Sequence, residues 1–473
     1  MAIQAAEDLP KGPAGAKLAA LAAVILIARL PFLLPGYGVD PDAWRIAADG
    51  RAIASSGVYG AARSPGNPIL ELAAAVVWRG GPLALNGLTC LFGLLAVLAF
   101  ALSLSRLGVR DWIWGALALA FTPVIAINSA NAMDYLWALA FLLAAHDAAL
   151  RARPVEAGIL TGLAIGCRIT SAVLAPTYSI ILSVVMPPHH SARRRLAFWA
   201  WAGMIGIAAY APALMLTGLG FLHDYGHGYP APLYVLKNAT VDVWGLVGCA
   251  AWSGALIVSR WRAERPAAPP AFADRRIPIA WGLAILLEVA VFLRLPHQAE
   301  YLIPVVPFAL LLGARALPSR AFRPLCGSLV LSAFAIKVSE TGKPDSPGRV
   351  ATSFALPGGR RVLDLRGPLL IDHDRRVRGV EYAQGVIARA ATLPAGSVVL
   401  AYEWLPAIEV MAPSRRVGGA RFVYALPPDS LDAVRAAADS LYDLPGAQDY
   451  GLSMWGVSPR SRGSRPLDAS EQP

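Results

Sequence analysis

YGVDPDAWRIAADGRAIASSGVYGAARSPGNPIL, residues 37–70, lies between two hydrophobic spans, and its reading decides how the rest of the chain is read. Asp40 suits an N-cap, Pro41 a first helical position and Gly57 a C-terminal stop, so a helix is predicted between them. Ala43, Ile46, Ala47, Gly50, Ile53 and Ala54 recur at helical spacing, and Asp42, Arg45 and Asp49 line the opposite stripe. That pattern describes a helix lying on a membrane surface, its apolar side toward lipid or a neighbouring helix. A plain reading of the acids stands beside any functional one. Asp40 caps the helix, worth about 1 kcal/mol, and Asp42 pairs with Arg45.

The composition agrees with a membrane setting. The 473 residues are 56% hydrophobic and only 15% charged, too apolar for a soluble protein of this size. A formal charge of +11 raises nucleic acid as a partner, but basic residues also collect in cytoplasmic loops of membrane proteins, and no nucleic-acid motif accompanies them. Nucleic acid is therefore excluded. The four cysteines, Cys90, Cys167, Cys249 and Cys326, lie in separate hydrophobic stretches and read as small apolar fillers, not as a disulfide framework.

Residues 1–16 read as a cytoplasmic tail and 17–338 as the transmembrane domain, with 36–67 as its first outer loop. Lys17 to Pro35 is a retained first helix, since no small-residue cleavage site follows it. Pro82 to Ser105 carries no charge and exceeds the roughly 20 residues needed to cross the hydrocarbon core. Trp112 to Ile127 and Tyr135 to Leu150 bracket a polar turn ending in Asp134. Ala157 to Met186 is too long for one crossing and is interrupted by Arg168, Thr170 and Ser171. As a single span it would put Arg193-Arg194-Arg195 on the side opposite Arg106, Arg110, Arg151 and Arg153, against the positive-inside rule. A broken pair that turns back near Arg168 removes the conflict. A mid-bilayer arginine costs about 2.5 to 3.5 kcal/mol on insertion scales, so Arg168 is expected to face a cavity or a counter-charge, Glu288 being one candidate. Further spans bring the count to ten or eleven, and RLPHQAEY, residues 294–301, forms a second polar cluster on the outer side.

Beyond Lys337 the composition changes. Short β-like runs at Arg361 to Leu365, Ser397 to Tyr402 and Arg421 to Leu426 alternate with helical stretches at Val377 to Leu393 and Asp429 to Tyr442, giving a small extracytoplasmic α/β domain over 339–462. Residues 463–473 read as a disordered tail. No P-loop or serine elbow is present. His189-His190 and His223…His227 lack the acid and the helix that a zinc site of HExxH type needs.

The first span, the outer loop opening on Asp40 and Asp42, the RSPGNPILEL that follows, the GLAIGCRITSAVLAP of the broken pair and the later RLPHQAEYLIPVVPF together resemble the GT-C superfamily of integral membrane glycosyltransferases. That group includes protein O-mannosyltransferases and bacterial lipid A aminoarabinose transferases. The resemblance spans most of Lys17 to Leu317. It implies a multi-pass protein of the bacterial inner or plasma membrane that moves a sugar from a polyprenyl-phosphate donor to a glycan, lipid or protein acceptor on the extracytoplasmic face, inverting the anomeric carbon.

Within that reading Asp40 is the general base, kept ionised by its helix N-terminus, and Asp134 is a second catalytic acid that orients the acceptor or assists the base. Arg294 and His297, with Arg168 or Arg63, would meet the charge of the departing phosphate. Glu300 and Tyr301 would contact sugar or carrier, and Asp42 the substrate. Relatives often have adjacent acids where Pro41 intervenes here, which leaves a divalent metal open. Plainer roles stand beside these: Asp134 capping the helix that begins at Tyr135, and Arg294 with His297 snorkelling from a helix end. Two other classes remain: a secondary transporter using Arg168 and Glu288, and a non-catalytic membrane scaffold.

Overall fold

A computed structural model of the chain describes residues 15–220, 229–261, 274–339, 351–356, 359–424, 434, 436, 438–444 and 465–467. The histidines at 223 and 227 lie outside the described residues. Helix α1, Gly15–Arg29, enters the bundle, and Arg29 is buried at its end, donating to the Ala120 carbonyl (2.5 Å) with its guanidinium over the Phe121 ring. Helix α2, Pro41–Ser56, then lies across the bundle's mouth. Its predicted signals operate: Asp40 accepts the Asp42 N–H at 2.8 Å, Pro41 opens the helix, and Gly57 closes it at φ 70°, a backbone region that glycine enters without steric cost. The buried stripe contains Ala43, Ile46, Ala47, Gly50 and Ile53, with Trp44 added. Gly50 is required because the backbone and methyl of Ala74 press against it; Ala74 lies in α3, Pro68–Val77.

Helix α4, Gly81–Arg106, descends as the longest apolar segment, and α5, Trp112–Phe121, with α6, Pro123–Asn128, returns, broken at Thr122 by the following proline. Helix α7, Tyr135–Leu150, descends beside α4, where His146 faces Ser103 through Nδ1 and accepts the Trp281 indole N–H through Nε2, both at 3.0 Å. Helix α8, Pro154–Cys167, rises to Arg168, whose extended backbone (φ −155°) ends it. A short 3₁₀ turn over Ile169–Leu174 leads into α9, Ala175–Val185, and then α10, Pro188–Thr217. Gly158, Gly162 and Gly166 of α8 pack in that order against Trp201, Ile205 and Ala209 of α10. The two helices are therefore parallel, and α9 between them must run back, which is the broken pair that the charge argument requires.

Helices α11, Pro232–Ala239, α12, Val241–Trp261, α13, Arg276–Arg294, α14, Val305–Ala316, and α15, Ser319–Ser332, complete the bundle. Among the described residues five helical segments are long and apolar enough to cross a membrane, and shorter apolar helices pack among them. At the end of the bundle away from α2, Arg106 and Arg151 pair with Asp147 and Arg323 with Asp111.

The C-terminal region begins earlier than expected, because β1, Ala335–Ser339, pairs with β3, Gly359–Arg366, which also pairs with β2, Ala351–Leu356. Helix α16, Pro368–Ala390, precedes a second sheet of order β5-β6-β4-β7-β8. Its strands are β4 (Ser397–Leu400), β5 (Arg416–Val417), β6 (Ala420–Val423), β7 (Ser440–Asp443) and β8 (Arg465–Pro466), with α17, Leu405–Met411, between β4 and β5. Two expectations are corrected. Ser440–Asp443 is a strand and not the end of a 429–442 helix, because the buried strand β4 takes a parallel partner there. Arg465–Pro466 pairs with β7 and Leu467 is buried, so this part of the expected disordered tail is sheet.

Arg376 of α16 fastens the C-terminal region to the bundle. It is buried and donates to the carbonyls of Phe32, Pro35 and Gly36 at 2.8, 2.8 and 3.0 Å. Hydrogen bonds from a charged donor contribute about 1.5–3 kcal/mol each. Arg376→Leu is expected to lower the apparent melting temperature in detergent and to speed proteolysis at the 32–36 loop. Unchanged cleavage there would exclude the clamp.

Candidate active site

The N-terminus of α2 delivers two acids to the mouth of the bundle. Asp40 spends one oxygen on the cap, and Asp42, in the first turn, pairs with Arg45 at 2.7 Å and with Arg63 at 3.0 Å. Arg63 sits in an irregular loop that Glu71 shapes: one Glu71 oxygen accepts the Ala62 N–H (2.9 Å), the other the Asn67 N–H (3.1 Å) and the Tyr59 hydroxyl. The Tyr210 hydroxyl also donates to the Gly66 carbonyl at 2.5 Å. Arg63 is thereby held across two acids, reaching Asp134 at 2.6 Å. The other Asp134 oxygen accepts from Arg168 at 2.8 Å. Arg45, Asp42, Arg63, Asp134 and Arg168 thus form a chain of alternating charge.

Asp134 is fully buried and makes no side-chain cap to the helix behind it. Its carboxylate is committed to the two guanidiniums, which decides against the plain capping role. The extended backbone at Arg168 turns its side chain inward, where the guanidinium lies 4.5 Å from the Tyr135 ring centroid and 4.7 Å from that of Tyr301. Arg168 therefore has a counter-charge and two aromatic faces. Its ion-pair partner is Asp134 and not Glu288, which lines the same cleft, buried in α13, and makes no ion pair with it among the described residues.

A second line of contacts closes the site. Gln298 donates to the free oxygen of Asp40 (3.1 Å) and accepts from the Tyr135 hydroxyl (2.8 Å). Sequence reasoning missed Gln298 and Tyr135, although each adjoins a named candidate. Burial, and next the charge of Asp42, lift the Asp40 pKa to about 6 against the pull of its helix cap and of Arg63 and Arg45. At this position desolvation outweighs the pull of the helix N-terminus, and the carboxylate is still ionised near neutral pH. Glu300, hydrogen-bonded by the Asn128 side chain, is lifted to about 7, chiefly by burial. Tyr135, Arg168, Thr170, Ser171, Glu288, Glu300 and Tyr301 line a narrow cleft.

The geometry brings together Asp40, Asp42, Arg63, Asp134, Arg168 and Tyr301, with Glu300 on the cleft wall. It does not bring Arg294 to them. That residue ends α13 in an exposed position and makes no ion pair among the described residues, because the chain turns at Leu295 and presents Gln298, not Arg294, to Asp40. His297 lies behind the cluster, where its carbonyl accepts from the Tyr234 hydroxyl and the Asn238 amide, both at 3.1 Å. Among the described residues no group of three or more His, Cys, Asp or Glu is arranged to hold a metal ion.

No protein-family model matches the sequence, and no curated protein matches it. Solved structures do match. The fold is similar to that of ArnT from Cupriavidus metallidurans bound to undecaprenyl phosphate, with a TM-score of 0.56 and 14% identity over 90% of this chain and 88% of that one. The apo form of the same protein gives 0.53 at the same identity and coverage. The Archaeoglobus fulgidus oligosaccharyltransferase gives 0.45, with 13% identity over 87% of this chain and 64% of that one. The chain therefore shares the fold of the ArnT structures over nine-tenths of its length.

Proposed function

We propose that this protein moves a sugar from a polyprenyl-phosphate carrier to an acceptor hydroxyl, with inversion. The observation that carries the reading is the convergence, on one mouth of a GT-C fold, of a carboxylate of raised pKa and an alternating chain of acids and arginines drawn from four separate parts of the sequence. The ArnT structure similar to this one holds undecaprenyl phosphate, which supports a lipid-phosphate donor.

Asp40, ionised above pH 6, takes the proton of the acceptor hydroxyl. The acceptor oxygen forms a bond to the anomeric carbon as the bond from that carbon to the carrier phosphate breaks. The phosphate leaves with the electron pair. A guanidinium has five donors, and Arg168 spends one on Asp134, so others are free to meet the phosphate charge, with Arg63 beside it. Gln298 orients Asp40, and Asp134 fixes both arginines. The basic end of the bundle, with Arg106, Arg151 and the start of α10, lies opposite this mouth, and by the positive-inside rule this supports an extracytoplasmic site.

Mass spectrometry of polyprenyl-linked lipids from cells lacking the protein tests the reading. A lipid-phosphate sugar should accumulate and disappear again on complementation. An unchanged lipid-linked pool would remove the donor assignment.

A further inference from the structure

The C-terminal region carries a residue to the same mouth. Strand β4 runs parallel to both β6 and β7. Groups that meet ligands in parallel sheets lie just past the carboxyl ends of the strands. Here Ala401 is anchored by donating its N–H to the Val423 carbonyl (3.0 Å), and Tyr402 follows at φ 45°, a left-handed conformation uncommon for a bulky side chain. The Tyr402 ring is buried, and the turn brings in Glu403, half-buried, immediately before α17.

Helix α17 lies along α2. Arg51 donates to the carbonyls of Glu409 (2.6 Å) and Val410 (3.1 Å). Glu403 lies two residues before α17, in the turn that leads into it. Arg45, Asp40 and Asp42 all act on its carboxylate there. Among the described residues Glu403 makes no hydrogen bond and no ion pair through its side chain, and two like charges oppose it. Its half-buried carboxylate, which Arg45 favours and Asp40 and Asp42 oppose, is left with accepting oxygens for a bound molecule.

We propose that Glu403 is an acceptor-positioning residue, its carboxylate accepting a hydrogen bond from a polar N–H or O–H of the acceptor adjacent to the hydroxyl that Asp40 deprotonates. The inference rests on the transferase reading and adds to it that the C-terminal region selects the acceptor. It also explains why that region is clamped to the loop before α2 by Arg376 and to α2 itself through Arg51.

The test uses purified full-length protein in detergent, undecaprenyl-phosphate-linked sugars as donor probes, and an envelope extract from cells lacking the protein as acceptor probe, with product read by mass shift. Glu403→Ala should raise the half-saturating amount of extract about tenfold without a matching rise in half-saturating donor, and Glu403→Gln, which keeps one accepting oxygen, should recover part of the loss. Equal shifts for donor and acceptor, or no shift for acceptor, would overturn the assignment while transfer by the unaltered protein still supported the wider reading. A loss of thermal stability in Glu403→Ala that Glu403→Gln shares would make the residue structural and overturn it too. Absence of product from the unaltered protein with every donor would sink both.

Discussion

Asp40→Asn is expected to abolish transfer while leaving the protein as stable at neutral pH as the unaltered chain, or more so. The substitution is mild for the structure, since asparagine caps helices about as well as aspartate and keeps an oxygen for the Asp42 N–H. The Gln298 amide can reverse, accepting from the new amide and donating to the Tyr135 hydroxyl, so the line of contacts survives. Chemistry does not survive, because the amide cannot take a proton; loss of a general base lowers rates by roughly 10²- to 10⁴-fold. The pH dependence carries a definite sign. The folded pKa of about 6 lies above the ordinary 3.8, so the folded protein binds this proton more tightly than the unfolded chain does. The Asp40 contribution to stability is therefore fully present below about pH 4, falls as pH rises toward 6, and is flat above that. A shift of that size corresponds to roughly 1–3 kcal/mol, which Asp40→Asn should recover at pH 7 but not at pH 4. Transfer by the unaltered protein should fall tenfold per unit below about pH 6. Melting curves at the two pH values and a pH–rate profile check both halves. Transfer retained within a few-fold in the variant would reduce Asp40 to a helix cap.

The helix at the mouth was legible because its signals are local: a capping acid, a proline and a terminal glycine lie within a few residues of the turns they control. The reversal at Arg168 was legible for a different reason, since lipid leaves few places for charge and the arginine runs had to share one end of the bundle. Asp42, Arg63, Asp134 and Arg168 could be named as residue types near the boundary, but which acid serves which arginine is set by packing between α2, α7 and α8. Sequence offered Arg168 a partner in Glu288, and the fold gives it Asp134. Arg294 was misleading because a charge at a helix end reads the same whether the chain then turns toward the site or away from it. Gln298 was overlooked because an uncharged amide carries no signal until its neighbours are known. Glu403 lies hundreds of residues from Asp40, and nothing short of the docking of α17 on α2 relates them. In the C-terminal sheet, Ser440–Asp443 has a helical prefix in sequence and becomes a strand only because β4 is beside it.

Asp134→Ala should be among the most damaging single changes in the chain. The carboxylate is wholly buried and is the shared acceptor of Arg63 and Arg168, so its removal leaves two guanidiniums facing each other out of water. Removing one partner of a buried ion pair costs about 3–5 kcal/mol, most of it the penalty of the charge left behind. Arg63 retains its ion pair with Asp42, whereas Arg168 keeps the Tyr135 and Tyr301 rings but no ion pair among the described residues, so Arg168 is where the penalty concentrates. Loss of a helix cap adds nothing, since Asp134 makes no such bond. The expected result is a marked fall in the apparent melting temperature together with loss of transfer. A second change separates the two effects. Adding Arg168→Met to Asp134→Ala removes the stranded charge and should restore much of the stability, yet transfer should stay absent because the cation that meets the departing phosphate has gone. If the double variant is no more stable than Asp134→Ala alone, the buried charge is not what the aspartate offsets. If it regains transfer, Arg168 has no part in receiving the phosphate.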